Sequence, residues 1–198
     1  MIRLTEKLPV SVEIGGTQVP VNADFRVMLR IDDLRDQGMT DAERGLESLR
    51  LFYGVLPVDI ETATERMLWF LRCGEKEKQA TAWGGKPQKP DFSFVHDAPM
   101  ILAAFRDQYG VNLNEVEFLH WWEFRAMLDG LRPEHLFCEI RRIRSMDLSK
   151  IKDKDQRKYY REMQKIYALP LPECQQEELD AITSALLHGG DVSALIKG

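Results

Sequence analysis

The chain has 198 residues, of which 44% are hydrophobic and 30% charged, and its net charge at pH 7 is −5. This balance is typical of a soluble globular protein, and the negative charge argues against a protein that binds nucleic acid with its whole surface. No apolar run approaches the roughly 18 residues needed to cross a membrane, and the first residues lack a signal peptide's apolar segment. The length allows one substantial domain or two small ones.

The first predicted element is a β-hairpin, in the sequence SVEIGGTQVPV between Ser11 and Val21. Apolar and polar residues alternate on both sides of Gly15 and Gly16, and both glycines tolerate the positive φ that a two-residue turn requires. Pro20 has no amide hydrogen, so its strand is expected at an edge. Because an isolated hairpin is marginally stable, we expect this one to pack against the helices.

Three helices are predicted to follow the hairpin. Asn22 or Asp24 can cap the first, because either side chain can accept a hydrogen bond from a free amide of the first turn. Thr40 and Glu43 have the spacing of a capping box at the start of the second. Asp59 is expected to begin the third.

The segment 75–91 interrupts the helical pattern with four lysines, two prolines and a Gly-Gly pair. Its composition predicts an exposed linker or loop, in which we expect Trp83 to fold back onto the nearby core rather than bind a partner. The chain thus divides into a hairpin with helices (1–74), a helical domain (92–169), and a C-terminal helix with a tail (170–198). Whether these parts form one domain or two stays open.

A second series of helices follows this segment. Asp97 is the expected N-cap of its first helix, which Gly110 ends. The next helix is expected to open at Asn112 or Asn114 and to end near Gly130.

Three more helices complete the predicted fold. One follows Pro133, the next begins after Asp147 or Ser149, and the last runs from Glu173 to about His188. In the second of these, Tyr159, Met163, Ile166 and Tyr167 are expected to form one face. The predicted fold class is therefore mainly α, a bundle of about seven helices with a small N-terminal β-hairpin.

Two adjacent tryptophans stand in the predicted helix LHWWEFRAMLDGL. Neighbours on a helix point about 100° apart, so Trp121 and Trp122 cannot share one narrow face. The helix is either buried on two sides, or it uses Trp122 and Leu119 to bind a protein partner, since tryptophan is favoured at interface hot spots. His120 is expected to be a hydrogen-bonded core residue rather than a catalytic base.

The segment 141–165 is strongly basic, with ten Lys or Arg against four acids, while the rest of the chain carries a balance of −11. It predicts a solvated helical face with pairs such as Asp153 with Arg157, or a contact with an acidic protein surface. Nucleic acid is a third possible partner, since neighbouring tyrosines could stack on bases. It is less favoured than the other two interpretations. The candidate partner-binding residues of this segment are Arg141, Arg142, Arg144, Lys152, Arg157 and Tyr160.

Enzyme and metal signatures are missing from the sequence. The chain contains no nucleophile elbow, phosphate-binding glycine loop or zinc-protease motif, and its histidines are scattered. Cys73, Cys138 and Cys174 are far apart, which favours reduced thiols over a disulfide framework. We therefore expect a protein without catalytic residues, metal or cofactor.

The sequence from Phe92 to Leu169 resembles the Gp15 family of tailed-bacteriophage proteins, which also occur in prophages of Gram-positive bacteria. The resemblance is carried by a helix ending in QYG, by HWW followed by FRAMLDGL, and by the run IRSMDLSKIKDKDQRKYY. The segments DFRVMLRIDDL and LESLRLFYG extend it loosely to Asp24.

The resemblance implies a gene of the tail-morphogenesis region, beside the gene of the tape-measure protein. Proteins encoded there include chaperones that coat the tape-measure protein before the tail tube polymerises. The expected function is therefore a non-enzymatic tail assembly protein, a chaperone-like factor that binds the tape-measure protein. Its expected partners are the tape-measure protein, other tail proteins or further copies of the chain, in the cytoplasm of the bacterial host.

Overall fold

The structure is a computed structural model that describes residues 4–75, 90–170 and Ser184. Residues 76–89, which include Trp83, lie outside the described part of the chain. So do Cys174 and the predicted C-terminal helix, apart from Ser184.

The predicted hairpin is present. Strand β1, Ser11–Ile14, pairs in antiparallel register with β2, Thr17–Pro20, so that Val12 lies opposite Val19. The turn residues have the expected positive φ, 56° at Gly15 and 79° at Gly16. Alternate residues of β1 are buried, and this face of the hairpin packs against a helix.

The described residues contain seven α-helices and two short 3₁₀ helices, which confirms the mainly α fold class. The α-helices are α1 (Phe25–Asp33), α2 (Asp41–Tyr53), α3 (Ile60–Leu71), α4 (Ala98–Tyr109), α5 (Trp121–Asp129), α6 (Leu136–Ser145) and α7 (Lys154–Ile166). The 3₁₀ helices are Leu34–Asp36 and Leu148–Lys150.

The N-terminal helices begin at predicted caps. The carboxylate of Asp24 accepts a backbone amide of α1, and that of Asp59 accepts one of α3. At α2 the hydroxyl of Thr40 accepts the amide of Glu43, whose carboxylate in turn accepts the amide of Thr40. Each cap satisfies amides that a helix leaves without an internal partner.

The start of α5 differs from the prediction. The helix begins at Trp121, whereas Asn112 accepts the amide of Asn114 in a turn. Residues 119–121 are instead held extended against residues 23–25, because the amide of Phe25 donates to the carbonyl of Leu119. This long-range pairing prevents the helical conformation that the apolar spacing predicts.

The start of α7 also differs. Asp153 caps the helix, while Asp147 caps the preceding 3₁₀ helix. The four residues predicted to share a face of α7 differ in burial, since Met163 and Tyr167 are half-buried whereas Tyr159 and Ile166 are exposed. Helix α7 has no fully buried residue, and it packs against α6.

One hydrophobic core joins the described parts of segments 1–74 and 92–169. Buried residues from Val12 to Phe137 form a single cluster. Helix α1 packs against both α2 and α5, and α4 packs against α5 and α6.

Candidate protein-binding surface

The adjacent tryptophans are explained by contacts with the end of α3. The indole Nε1 of Trp121 donates to the carbonyl of Leu71 at 3.0 Å, and that of Trp122 donates to the carbonyl of Phe70 at 2.8 Å. The last carbonyls of a helix lack the amides that a further turn would supply, and consecutive ones lie about 100° apart around the helix axis. Two side chains that diverge by one helical step can therefore reach both of them.

Trp122 and Leu119 do not present a surface to a partner in this structure. Their side chains are 4% and 6% exposed. Trp122 also packs edge-on against Trp69 and beside Phe70. The adjacent tryptophans thus belong to the core.

His120 is a buried N-cap residue of α5. Its Nδ1 accepts the amide of Trp122 at 3.0 Å, so in the neutral ring Nε2 carries the hydrogen and donates to the carbonyl of Pro9 at 2.9 Å. Both ring nitrogens therefore serve the fold, as predicted for a hydrogen-bonded core histidine.

Arg144, one of the residues predicted to bind a partner, forms hydrogen bonds inside the fold. Its guanidinium forms two hydrogen bonds with the carboxylate of Asp97, at 2.6 and 3.0 Å, and its Nε donates to the carbonyl of Tyr167 at 2.6 Å. Asp97 stands at the predicted N-cap position of α4, but its side chain binds Arg144 and the amide of Ser93 instead of a helix amide. These bonds connect α6 to the start of α4 and the end of α7.

Arg141 has a similar internal role. It pairs with Asp91 at 3.0 Å and lies over the rings of Phe92 and Phe137, 4.6 and 5.4 Å from their centroids. Together with Arg144 it holds the residues that lead into α4. The two arginines are thus engaged within the chain.

Arg157 and Tyr160 lie on the half-buried side of α7. The guanidinium of Arg157 donates to the carbonyl of Ile151, while Asp153 binds the amide of Gln156. The predicted ion pair between Asp153 and Arg157 is therefore replaced by two backbone contacts.

The cations that face solvent form a row along α7, which we call the basic stripe: Lys154, Lys158, Arg161 and Lys165. All four are exposed, and their spacing of three or four residues puts them on one side of the helix. Two predicted candidates, Arg142 and Lys152, are exposed as well. The four residues of the basic stripe were not among those predicted to bind a partner, although the helical spacing of these cations is visible in the sequence.

Apolar surface lies beside the basic stripe. Tyr159 and Ile166, seven residues apart on α7, are 58% and 67% exposed. Acids are interspersed, and Glu162 pairs with Lys165 at 3.1 Å. An amphipathic helix that shows cations next to exposed apolar side chains fits an acidic protein surface better than a small ligand.

The described cysteines show no sign of activated chemistry. Burial raises the pKa of the Cys73 thiol to about 11 and also raises that of Cys138, which keeps both thiols protonated at neutral pH. No group of three or more His, Cys, Asp and Glu in the described ranges is arranged to hold a metal ion.

None of the helices in the described ranges is long and apolar enough to cross a membrane.

Comparison with known proteins identifies the family. The family model described as Bacteriophage Gp15 protein matches residues 4–169, which is most of the 198-residue chain. No curated protein and no solved structure matches the chain. The matched range includes the hairpin, all seven helices and the basic stripe. The chain therefore belongs to the bacteriophage Gp15 family, which implies a phage structural or morphogenesis protein.

Proposed function

We propose that this protein is a non-enzymatic tail assembly factor that binds the tape-measure protein during tail morphogenesis, in the cytoplasm of the bacterial host. The observation that carries the proposal is the family match over residues 4–169. The resemblance to this family implies a gene that lies beside the gene of the tape-measure protein. A long helical tape-measure protein exposes apolar faces until the tube surrounds it, and a chaperone would cover them.

The surface of α7 supports this role. It offers exposed aromatic and aliphatic groups beside four cations, a combination that suits reversible contact with amphipathic helices. Its opposite charge to the rest of the chain also favours association between copies along a filament.

Co-expression with the tape-measure protein encoded beside this chain tests the proposal. We expect the tape-measure protein to become more soluble and to be captured with the tagged chain. The triple variant Lys154→Glu, Lys158→Glu and Arg161→Glu should capture less of it.

A matched control has the same change in net charge on other exposed arginines: Arg30→Glu, Arg66→Glu and Arg106→Glu. It should capture as much tape-measure protein as the wild type does. No capture and no gain in solubility with the wild-type chain would contradict the chaperone role.

A second candidate is a phage accessory protein that binds nucleic acid through 141–165. It is favoured by one observation, the exposed ring of Tyr159 on a helix with four solvent-facing cations. This candidate predicts DNA or RNA binding that weakens with salt. A plot of log affinity against log salt concentration should have a negative slope of several units. The absence of binding at low salt would remove this candidate.

A further inference from the structure

A groove with a volume of about 540 Å³ lies between four elements of the N-terminal half and α5. Its walls come from α1 with the following 3₁₀ helix, from α2, from α3 and from α5. The floor is apolar and consists of Met28, Ile31, Met67, Leu71 and Trp121. Most of these side chains are buried in the core, so the floor is a firm surface rather than a mobile loop.

Arginines from four different elements line this groove: Arg35, Arg44, Arg72 and Arg125. Asp32 is the acid that lines it with them. Each of these guanidinium groups keeps its positive charge at any ordinary pH, and the four of them border one apolar floor. Guanidinium groups bind carboxylates through paired, directional hydrogen bonds, so the groove has the chemistry of a carboxylate receptor.

Three of these arginines pair with carboxylates of the chain that are at least one-third exposed. Arg35 lies 3.3 Å from Asp32, and Arg125 lies 3.7 Å from Asp129 while its guanidinium stacks over Trp121 at 5.6 Å. Arg44 pairs with Asp41, whose side chain is almost fully exposed. Exposed ion pairs are weak, so a ligand carboxylate can replace an in-chain one at little cost.

Apolar surface remains accessible within the groove. Leu68 is 43% exposed on α3, and Leu71 and Phe94 are half-buried beside it. The groove is partly open to solvent, so it suits a segment of a protein surface better than a fully enclosed small molecule. A ligand that matches it carries apolar side chains on one face and carboxylates next to them.

We infer that this groove, which we call the arginine groove, binds an acidic amphipathic helix of a partner protein. The helix inserts apolar side chains over Leu68 and the floor, and its flanking carboxylates pair with the arginines. The inference rests on the proposed function in taking the ligand to be a protein. It concerns a surface separate from the basic stripe.

Fluorescence anisotropy with a labelled synthetic peptide tests the inference. The probe is an amphipathic helical peptide with leucines on one face and glutamates beside them, and its match has glutamine in place of each glutamate. We expect the full-length chain to bind the glutamate peptide about tenfold more tightly than its match, with affinity falling as salt is added.

The deciding variant is Arg35→Glu with Arg72→Glu, since both side chains are exposed and the fold should tolerate their change. It should lose the preference for the glutamate peptide. Leu68→Ala should weaken both peptides several-fold, because it removes apolar contact area. The control, Arg30→Glu with Arg106→Glu, makes the same change in net charge at exposed arginines outside both the groove and the basic stripe, and it should bind as the wild type does.

Three results would overturn the inference. They are no binding by the wild-type chain, unchanged binding by Arg35→Glu with Arg72→Glu, and an equal loss in the control, which would indicate unspecific attraction. The same variants in the co-expression assay separate this inference from the proposed function. If the wild type and the groove variant capture the tape-measure protein equally, the chaperone role stands and the groove is not its site.

Discussion

Arg144 shows how one side chain can connect three parts of a small protein. Its side chain is 11% exposed and its partner Asp97 only 1%, so removing either leaves a buried charge without its counter-ion. Such losses usually cost about 3 to 5 kcal/mol, because the remaining charge is poorly solvated. The same arginine also satisfies the carbonyl of Tyr167.

We therefore predict that Arg144→Ala lowers the free energy of unfolding by about 3 kcal/mol. Arg142→Ala, two residues away on the exposed side of α6, should change it by no more than about 0.5 kcal/mol. Urea unfolding of both variants measures the difference. Similar losses in the two variants would show that the buried pair contributes nothing specific.

Two buried acidic groups predict how stability depends on pH. Burial raises the pKa of Tyr53 from 10.0 to about 12 and that of Cys73 from 9.0 to about 11. Above pH 10.0 for Tyr53 and pH 9.0 for Cys73, the unfolded chain releases these protons. The folded chain keeps them until the pH approaches about 12 and about 11, respectively. The stabilisation is therefore complete below about pH 9 and is lost as pH rises toward the folded values.

Urea unfolding at about pH 7.5, 9 and 10.5 should show a falling free energy of unfolding. Tyr53→Phe removes the phenol that donates to the carbonyl of Ala63, so it should be less stable at neutral pH but lose less on further alkalinisation. An identical pH slope in the variant would contradict a raised pKa for Tyr53.

At the scale of elements, contacts at both ends of α7 contribute to its stability. No residue of α7 is fully buried, whereas the helix begins with an Asp153 cap and ends at the carbonyl bound by Arg144. A helix of 13 residues is marginal in isolation, so these contacts decide whether the basic stripe is ordered.

We predict that Asp153→Ala costs α7 about 1 kcal/mol and speeds amide hydrogen exchange within it. Exchange in α4 and α5 should stay as in the wild type, because the core does not involve Asp153. Faster exchange throughout the molecule would instead show that α7 and the core unfold together.

Elements whose signals are local were predicted well. The Gly15–Gly16 turn, the Thr40 capping box and the Asp59 cap each depend on residues within four positions of one another. The start of α5 was missed because pairing with residues 23–25, almost 100 positions away, holds residues 119–121 extended. Local periodicity contains no information about that contact.

The candidate site was predicted less well for the same reason. Charge and spacing correctly marked 141–165 as basic, but they do not distinguish an exposed Arg142 from an Arg144 whose partner is 47 positions away. The arginine groove has no sequence signature at all, since its four cations come from separate elements.

For the whole molecule, the shared core predicts one cooperative unfolding transition. Helix α1 contacts α5, and β1 contacts α3, within a cluster that extends from Val12 to Phe137. Far-UV circular dichroism and tryptophan fluorescence should therefore report the same urea midpoint. Two separated midpoints would show that segments 1–74 and 92–169 unfold as independent domains.

The two tryptophans whose indoles bind the end of α3 differ in the hydrogen bonds that remain when each one is replaced. The carbonyl of Phe70 also accepts the amide of Cys73, so it keeps a donor when Trp122 is replaced. The carbonyl of Leu71 accepts the indole of Trp121, and no backbone amide of the described residues donates to it. Trp121→Phe should therefore destabilise the protein by about 1 kcal/mol more than Trp122→Phe in urea unfolding. The two adjacent tryptophans, although identical in sequence, thus differ in how much stability each hydrogen bond contributes.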